Sequence, residues 1–203
     1  MISIVNYGLG NLNSISNIIS KVGGSSVIIN DAAEVKNAEK LILPGVGAFD
    51  HGMQKLNDEG WIHVLNEAVL HQKKPVLGIC LGMQLMCNSS EEGVLPGLGW
   101  IDAEVKRFSI ETSSANKIPH MGWNAIKVKK QNGILEDKTE EQRFYFVHSY
   151  HAVCNNPNDT LASASHEYEF AAAFCHENIY GVQFHPEKSH RFGMELLKNF
   201  IAL

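Results

Sequence analysis

The sequence predicts an α/β fold: a mixed, mostly parallel sheet flanked by helices, with a strand-rich C-terminal half. Three observations carry this expectation. Short β-branched runs alternate with helix-period stretches in the first half, the rhythm of βαβ units and a parallel sheet. From about Ile101 the pattern changes to short strand-like runs separated by turns. Between the two, Pro75-Val76-Leu77-Gly78-Ile79-Cys80-Leu81-Gly82-Met83-Gln84-Leu85 passes from an apolar run through two glycines straight into a helical pattern.

Size and composition narrow the classes. The 203 residues, 44% hydrophobic and 19% charged, suit one domain spanning 1–203 with a sizeable core. No low-complexity linker or internal repeat divides them. A net charge of -5 gives no basis for a nucleic-acid or anionic-membrane partner. The stretch Met1-Ile2-Ser3-Ile4-Val5-Asn6-Tyr7 lacks a basic n-region and a small-residue cleavage site, and no apolar run is long enough to span a bilayer. A cytoplasmic location is therefore expected.

Taken in order, Ile2-Ser3-Ile4-Val5 reads as the first strand. Residues 12–22 fit a helix, with Ile15, Ile18, Ile19 and Val22 at helical spacing and Gly23-Gly24 to stop it. Ser26-Val27-Ile28-Ile29 and Lys40-Leu41-Ile42-Leu43 read as the next strands. The glycines of Asn6-Tyr7-Gly8-Leu9-Gly10-Asn11 do not make G-x-G-x-x-G, so a dinucleotide site has no support. Pro44-Gly45-Val46-Gly47-Ala48-Phe49 follows the third strand, on the edge where parallel sheets place ligands; a plain β-to-α turn is the alternative. Helical stretches at 52–58 and 61–71 follow, the second with Trp61, Val64, Leu65, Ala68 and Val69 on one face. Glu91-Glu92-Gly93 and Pro96-Gly97-Leu98-Gly99 are loops. Strands are predicted at 104–108, 125–128, 144–147, 152–153, 170–174 and 179–184. The most exposed-looking loop is Ser109-Ile110-Glu111-Thr112-Ser113-Ser114-Ala115-Asn116-Lys117. It leads into Ile118-Pro119-His120-Met121-Gly122-Trp123-Asn124, whose Met and Trp serve either as core filling or as a docking surface.

The chemistry starts at Cys80. Glycines on both sides of a nucleophile, at a sharp strand-to-helix turn, are the grammar of a nucleophile elbow. A free thiol titrates near ~8.5, and a helix N-terminus with a nearby imidazole lowers that value. The Leu81 N–H is expected to hold a developing oxyanion, with a second donor from the 44–49 loop. A small buried structural cysteine is the alternative. The remaining cysteines, Cys87, Cys154 and Cys175, complete no C-x-x-C pair and no zinc spacing with His, so neither metal site nor disulfide framework is expected. Cys87, two turns beyond Cys80 on the same predicted helix, should face inward; Cys154 and Cys175 fall in or beside strand-like runs.

A partner for the thiol stands in Gly181-Val182-Gln183-Phe184-His185-Pro186-Glu187-Lys188-Ser189. Residues two apart in extended chain project to one side, which would bring His185 and Glu187 together, and Pro186 restricts the segment to a strand end or loop. His185 would take the Cys80 proton and deliver it to a leaving amine, while Glu187 orients the ring. The ten histidines make a chance pairing a fair objection, but only His185 has an acid at this spacing at the end of a strand-like run. His166-Glu167 and His176-Glu177 are adjacent pairs, aimed at opposite faces if extended.

With these residues in hand, Gly78-Ile79-Cys80-Leu81-Gly82-Met83-Gln84 and Gln183-Phe184-His185-Pro186-Glu187-Lys188-Ser189 resemble the class I, or triad, glutamine amidotransferases. Asn6-Tyr7-Gly8-Leu9-Gly10-Asn11-Leu12, Pro119-His120-Met121-Gly122-Trp123-Asn124 and Phe146-Val147-His148-Ser149-Tyr150 are similar to the branch that serves imidazole glycerol phosphate synthases. The resemblance covers essentially the whole chain. It implies a flavodoxin-like fold and hydrolysis of glutamine through a Cys80 thioester, without cofactor or metal. The ammonia would pass through a (βα)8-barrel cyclase, the partner in a heterodimer, to a phosphoribosyl-formimino intermediate of histidine biosynthesis. It further implies an oxyanion strand of Gly45, Val46 and Gly47, completed by Leu81, with Gly45 also touching substrate. Gln84, Glu92, Ser149 and Tyr150 would hold the amino-acid end of glutamine. Asn11, Met121, Trp123, Tyr145 and Lys188 would lie toward the cyclase. One stretch departs: His190-Arg191-Phe192-Gly193 resembles a branch found with surface-polysaccharide genes, in which ammonia serves sugar amidination. A stand-alone cysteine hydrolase is the remaining alternative.

Overall fold

The short apolar runs pair into one large sheet whose parallel half is buried on both faces. A computed structural model describes residues 1–111, 113, 114 and 116–203; Thr112 and Ala115 of the exposed loop lie outside the described residues. The order is β1 (Ile2–Val5), α1 (Leu12–Lys21), β2 (Ser26–Ile29), β3 (Lys40–Leu43), α2 (Phe49–Asp58), α3 (Trp61–Asn66), β4 (Val76–Ile79) and α4 (Leu81–Leu85). Then come β5 (Ser89–Ser90), β6 (Ala103–Arg107), β7 (His120–Ala125), β8 (Lys127–Val128), β9 (Arg143–His148), β10 (Tyr150–Cys154), β11 (Thr160–His166), β12 (Tyr168–His176), β13 (Ile179–Val182) and α5 (His190–Ala202). The main sheet runs β2-β1-β3-β4-β13-β12-β10-β6-β5, with β11 and β8 joined through β12. Strands from β2 to β13 are parallel, β12 reverses, and β7 with β9 forms a separate antiparallel ribbon.

Alternation along each strand decides which helices cover which face. Ile4, Ile42, Leu77 and Ile79 join Ile15 and Ile19 of α1 and Leu196 and Phe200 of α5 in one core. Val5, Leu41, Leu43 and Val76 join Phe49 and Leu56 of α2 and Trp61 and Leu65 of α3 in the other. Strands buried on both faces read as continuous apolar runs, which is why the parallel half is legible in the sequence.

Several expectations need correction. The 12–22 helix ends at Lys21, and the 52–58 helix begins at Phe49. The 61–71 helix becomes a π turn at Glu67–His71. The 125–128 strand is two pieces, the last residue of β7 and the whole of β8, and β7 extends back to His120 so that it includes Met121 and Trp123. β11 is absent from the expected strands: Thr-Leu-Ala-Ser-Ala-Ser-His has little intrinsic strand preference and is held by its neighbours β12 and β8. Helix α4 stops at Leu85, so Cys87 lies past its end, although fully buried. All four cysteines are free thiols. Among the described residues no helix is long and apolar enough to cross a membrane.

Candidate active site

Three adjacent parallel strands end on the same edge of the sheet, and their following loops converge there. β3 delivers Pro44 to Gly47, β4 delivers Cys80, and β13 delivers Gln183 to Glu187. The Cys80 amide donates to the Val182 carbonyl at 2.8 Å, tying the second loop to the third. Cys80 itself has φ 54° and ψ -110°, a conformation L-residues rarely adopt and one that costs on the order of 1–3 kcal/mol. That strain is the turn that lifts the sulfur off the strand axis.

Close packing explains the glycines around it. A Cβ on Gly82 would stand 1.9 Å from the Leu43 carbonyl oxygen. One on Gly45 would stand 2.6 Å from the Tyr7 hydroxyl and 2.9 Å from the Gly82 nitrogen. The 44–47 loop therefore lies directly on the first turn of α4. Tyr7, fully buried, donates its hydroxyl to the Pro44 carbonyl at 2.6 Å and pins the loop there. As the first helical residue, Leu81 has an N–H without an intrahelical acceptor.

His185 and Glu187 meet, with Nδ1 2.8 Å from Oε1 and both side chains almost wholly buried. The route differs from an extended segment. Pro186 opens a 3-10 turn, Pro186–Lys188, since its fixed φ and missing N–H suit a first helical position, and this turn brings the carboxylate to the ring. The strand itself ends at Val182, not at residue 184. Burial pushes the His185 pKa down, but hydrogen bonds to the Cys80 sulfur and Glu187, with the charges of both, outweigh it and raise the value to about 9.

A cavity of about 420 Å³ opens in front of this group. Of the residues singled out in the sequence, Val46, Gly47, Cys80, Leu81, Gln84, Glu92, Ser149, Tyr150 and His185 line it. Gly45 and Glu187 do not; the first is packed against Tyr7 and the first turn of α4, the second stands behind His185. The Glu92 carboxylate accepts from the Phe49 N–H at 2.9 Å, which anchors it at the rim. Met121 (62% exposed) and Trp123 (41%) project from the β7–β9 ribbon. Trp123 stacks on His190 and meets Tyr145 edge-on, and the Lys188 ammonium sits 5.7 Å from the Tyr145 ring centre. Asn11 is exposed at the start of α1.

Two polar side chains at the site, Gln183 behind the sulfur and His148 on the cavity wall, are not among the residues the sequence singles out. Gln183 is fully buried, accepts from Gln84 Nε2 at 3.0 Å and aims its own Nε2 at the Cys80 sulfur, 3.8 Å away. A polar side chain inside the apolar run Val182-Gln183-Phe184 was the available signal. His148 lines the cavity, opposite the register of His120. Among the described residues no group of three His, Cys, Asp or Glu side chains is arranged to hold a metal ion. Chemically, a strained thiol beside a carboxylate-held imidazole, with backbone N–H groups at the same edge, suits acyl transfer through a thioester.

Comparison with known proteins gives the same chemistry. The family profile described as Glutamine amidotransferase class-I matches residues 3–203. The chain is 52% identical over 201 residues to an imidazole glycerol phosphate synthase subunit HisH 2 of Methanococcus maripaludis, covering 99% of this chain and 98% of that one. It is 48% identical to a protein of the same name from Pseudomonas aeruginosa, over the full length of both. Among solved structures, PurLQS from Thermotoga maritima shares the fold with a TM-score of 0.75 at 16% identity, covering 99% of this chain and 97% of that one. A putative GMP synthase component from Thermoplasma acidophilum gives a TM-score of 0.73 at 23% identity, covering 99% of this chain and 92% of that one.

Proposed function

The chain belongs to the class I glutamine amidotransferase family, and from that premise we propose that it is the glutaminase subunit of an imidazole glycerol phosphate synthase. Residues 1–203 act as one amidotransferase domain in the cytoplasm. Cys80 attacks the side-chain amide carbon of glutamine. His185, carrying the proton that Cys80 gives up, delivers it to the departing ammonia, while Glu187 orients the ring and balances its charge. The N–H groups of Val46, Gly47 and Leu81 receive the oxyanion, each such donor being worth about 3 kcal/mol in the transition state. Water, activated by His185, then hydrolyses the thioester to glutamate. Glu92 pairs with the substrate ammonium; Gly45, Gln84, Ser149 and Tyr150 complete the amino-acid site. The observation that supports this most is the cavity shared by Cys80, His185 and the 46–47 loop at the ends of three parallel strands.

Ammonia released into water at neutral pH is protonated and no longer a nucleophile, so a sealed partner interface gives the exposed Met121 and Trp123 a purpose. Together with Asn11, Tyr145 and Lys188 they dock a (βα)8-barrel cyclase that consumes the ammonia. Trp123→Ala is expected to weaken that heterodimer by about 2 kcal/mol, as truncated aromatic anchors do, measured by calorimetric titration of the two subunits. Undiminished affinity would remove Trp123 from the interface.

The pH dependence follows from His185. Its raised pKa keeps the ring protonated up to about 9, so glutamine turnover falls on the alkaline side near that value, where the proton for ammonia is lost. Glu187→Gln removes one of the raising causes and moves the alkaline limb of the kcat/KM profile to lower pH. An unmoved limb would separate Glu187 from the ring's titration.

Synthesis of imidazole glycerol phosphate from glutamine, by this chain with the cyclase and the phosphoribosyl-formimino intermediate, tests the whole reading. A second acceptor is raised by the departing His190-Arg191-Phe192-Gly193 stretch, whose His190 stacks on Trp123 at 5.1 Å and so lies on the proposed partner face. Ammonia transfer to a sugar acceptor, with none to the histidine intermediate, would select that reading. Rapid glutamine hydrolysis indifferent to any partner would select a stand-alone hydrolase.

A further inference from the structure

Outside the triad, two buried histidines lie together on the inner face of the β7–β9 ribbon. His120 and His148 are register partners there, 5% and 6% exposed, with His120 Nδ1 2.9 Å from His148 Nε2. Their tautomers can be deduced. The Asn124 oxygen accepts from the Ala125 N–H at 2.8 Å, and its Nδ2 donates to the Ser165 carbonyl at 2.8 Å. That fixes the amide's orientation, so the contact from Asn124 Nδ2 to His120 Nε2 at 3.1 Å is a donation to a bare nitrogen. His120 then carries its hydrogen on Nδ1 and donates it to His148 Nε2. His148 in turn carries its hydrogen on Nδ1 and donates it to the Tyr150 carbonyl at 2.8 Å. Burial holds both rings neutral, pushing His120 down to about 4 and His148 to about 3.

The chain of donors ends at a carbonyl that matters. Tyr150 O also accepts from Gln84 Nε2 at 3.0 Å, whose other hydrogen goes to Gln183, and Gln183 faces the sulfur. The histidine bonds point one way, from the ribbon toward the cavity. The outer face of the same ribbon carries Met121 and Trp123.

We propose that His120 and His148 are positioning residues, a neutral one-directional pair that locks the Tyr150 carbonyl, and through it the Gln84 carboxamide, to the ribbon that meets the partner. The inference rests on the reading of this cavity as a glutamine site. The rings touch no reacting atom; they set where the amino-acid end of the substrate is held.

Two measurements on the full chain test it. Imidazole ¹⁵N NMR is expected to show both rings as neutral Nδ1–H tautomers across neutral pH; Nε2–H on either ring overturns the relay. Labelling of Cys80 by a γ-chloroketone analogue of glutamine, followed by mass spectrometry, reads the substrate site. His148→Leu is expected to raise the saturation constant roughly tenfold, with a smaller change in the maximal labelling rate. His148→Asn, which keeps a donor at the Nδ1 position, should recover to within about threefold of the parent. Asn124→Ala, a milder change that frees the His120 tautomer, should raise the constant about threefold even if the leucine variant does not fold. A constant within about twofold of the parent in a folded His148→Leu chain, or an asparagine variant as poor as the leucine one, overturns the positioning role. Iodoacetamide, which has no amino-acid end, separates the two failures: a parent Cys80 that reacts with it but ignores the glutamine analogue overturns the glutamine reading, and this inference with it.

Discussion

Cys80→Ala is expected to abolish glutamine-dependent ammonia release, by roughly four orders of magnitude or more, while the partner still turns over with added ammonium salt. Removing the nucleophile of a triad leaves only the binding and oxyanion contributions, which is why the loss is so large. The geometry makes the prediction specific to one of four thiols. Cys87 is fully buried, and burial, with the nearby Cys154 charge, pushes its thiol well above the usual range. Burial likewise raises Cys154 and Cys175, the opposite of what a nucleophile needs. Only Cys80 combines an imidazole partner, a strained turn and a cavity. Alanine substitutions at the other three should leave glutamine turnover per folded molecule within a fewfold of the parent.

Gly82→Ala is expected to be among the most damaging single methyls that can be added near the site. The new Cβ would need to occupy space 1.9 Å from the Leu43 carbonyl oxygen, a backbone atom at the end of a central parallel strand. No flexible side chain is available to yield. Either α4 moves off β3 or the 44–47 loop lifts, and both displace the Leu81 N–H from the loop that shares its task. Overpacking at a backbone contact costs about 3 kcal/mol or more, so a markedly lowered denaturation midpoint and a glutaminase rate reduced beyond the unfolded fraction should appear together. Gly47→Ala is the contrast: a Cβ there has open space, and the penalty comes from its φ of 104° alone. Equal stability of Gly82→Ala and the parent would mean the loop does not rest on the elbow.

Much of the fold was readable because its parallel half is buried on both sides. Ile2-Ser3-Ile4-Val5 and Val76-Leu77-Gly78-Ile79 announce themselves as strands without any partner in view. The same holds for Cys80, where the chemistry and the backbone turn are encoded within five residues. What was not readable depends on contacts between distant segments. β11 is strand only because β12 and β8 flank it. The His185–Glu187 pairing was anticipated through an extended chain, whereas a proline-started turn makes it; the local rule was wrong and the contact still formed. The His120–His148 pair follows from ribbon register, which no single stretch of sequence carries. Gln183 hid in an apolar run because its two hydrogen-bond partners come from Gln84 and Cys80, a hundred or so positions earlier.

The central claim is that one sulfur, held by an imidazole and a carboxylate at the ends of three parallel strands, takes the acyl group from glutamine. Rapid acid quench of the chain with its partner and glutamine, followed by peptide mass spectrometry, tests it most directly. A γ-glutamyl adduct on the peptide carrying Cys80, lost in His185→Ala, is the expected result. Steady release of glutamate with no adduct on Cys80, or with the adduct on another thiol, would contradict it.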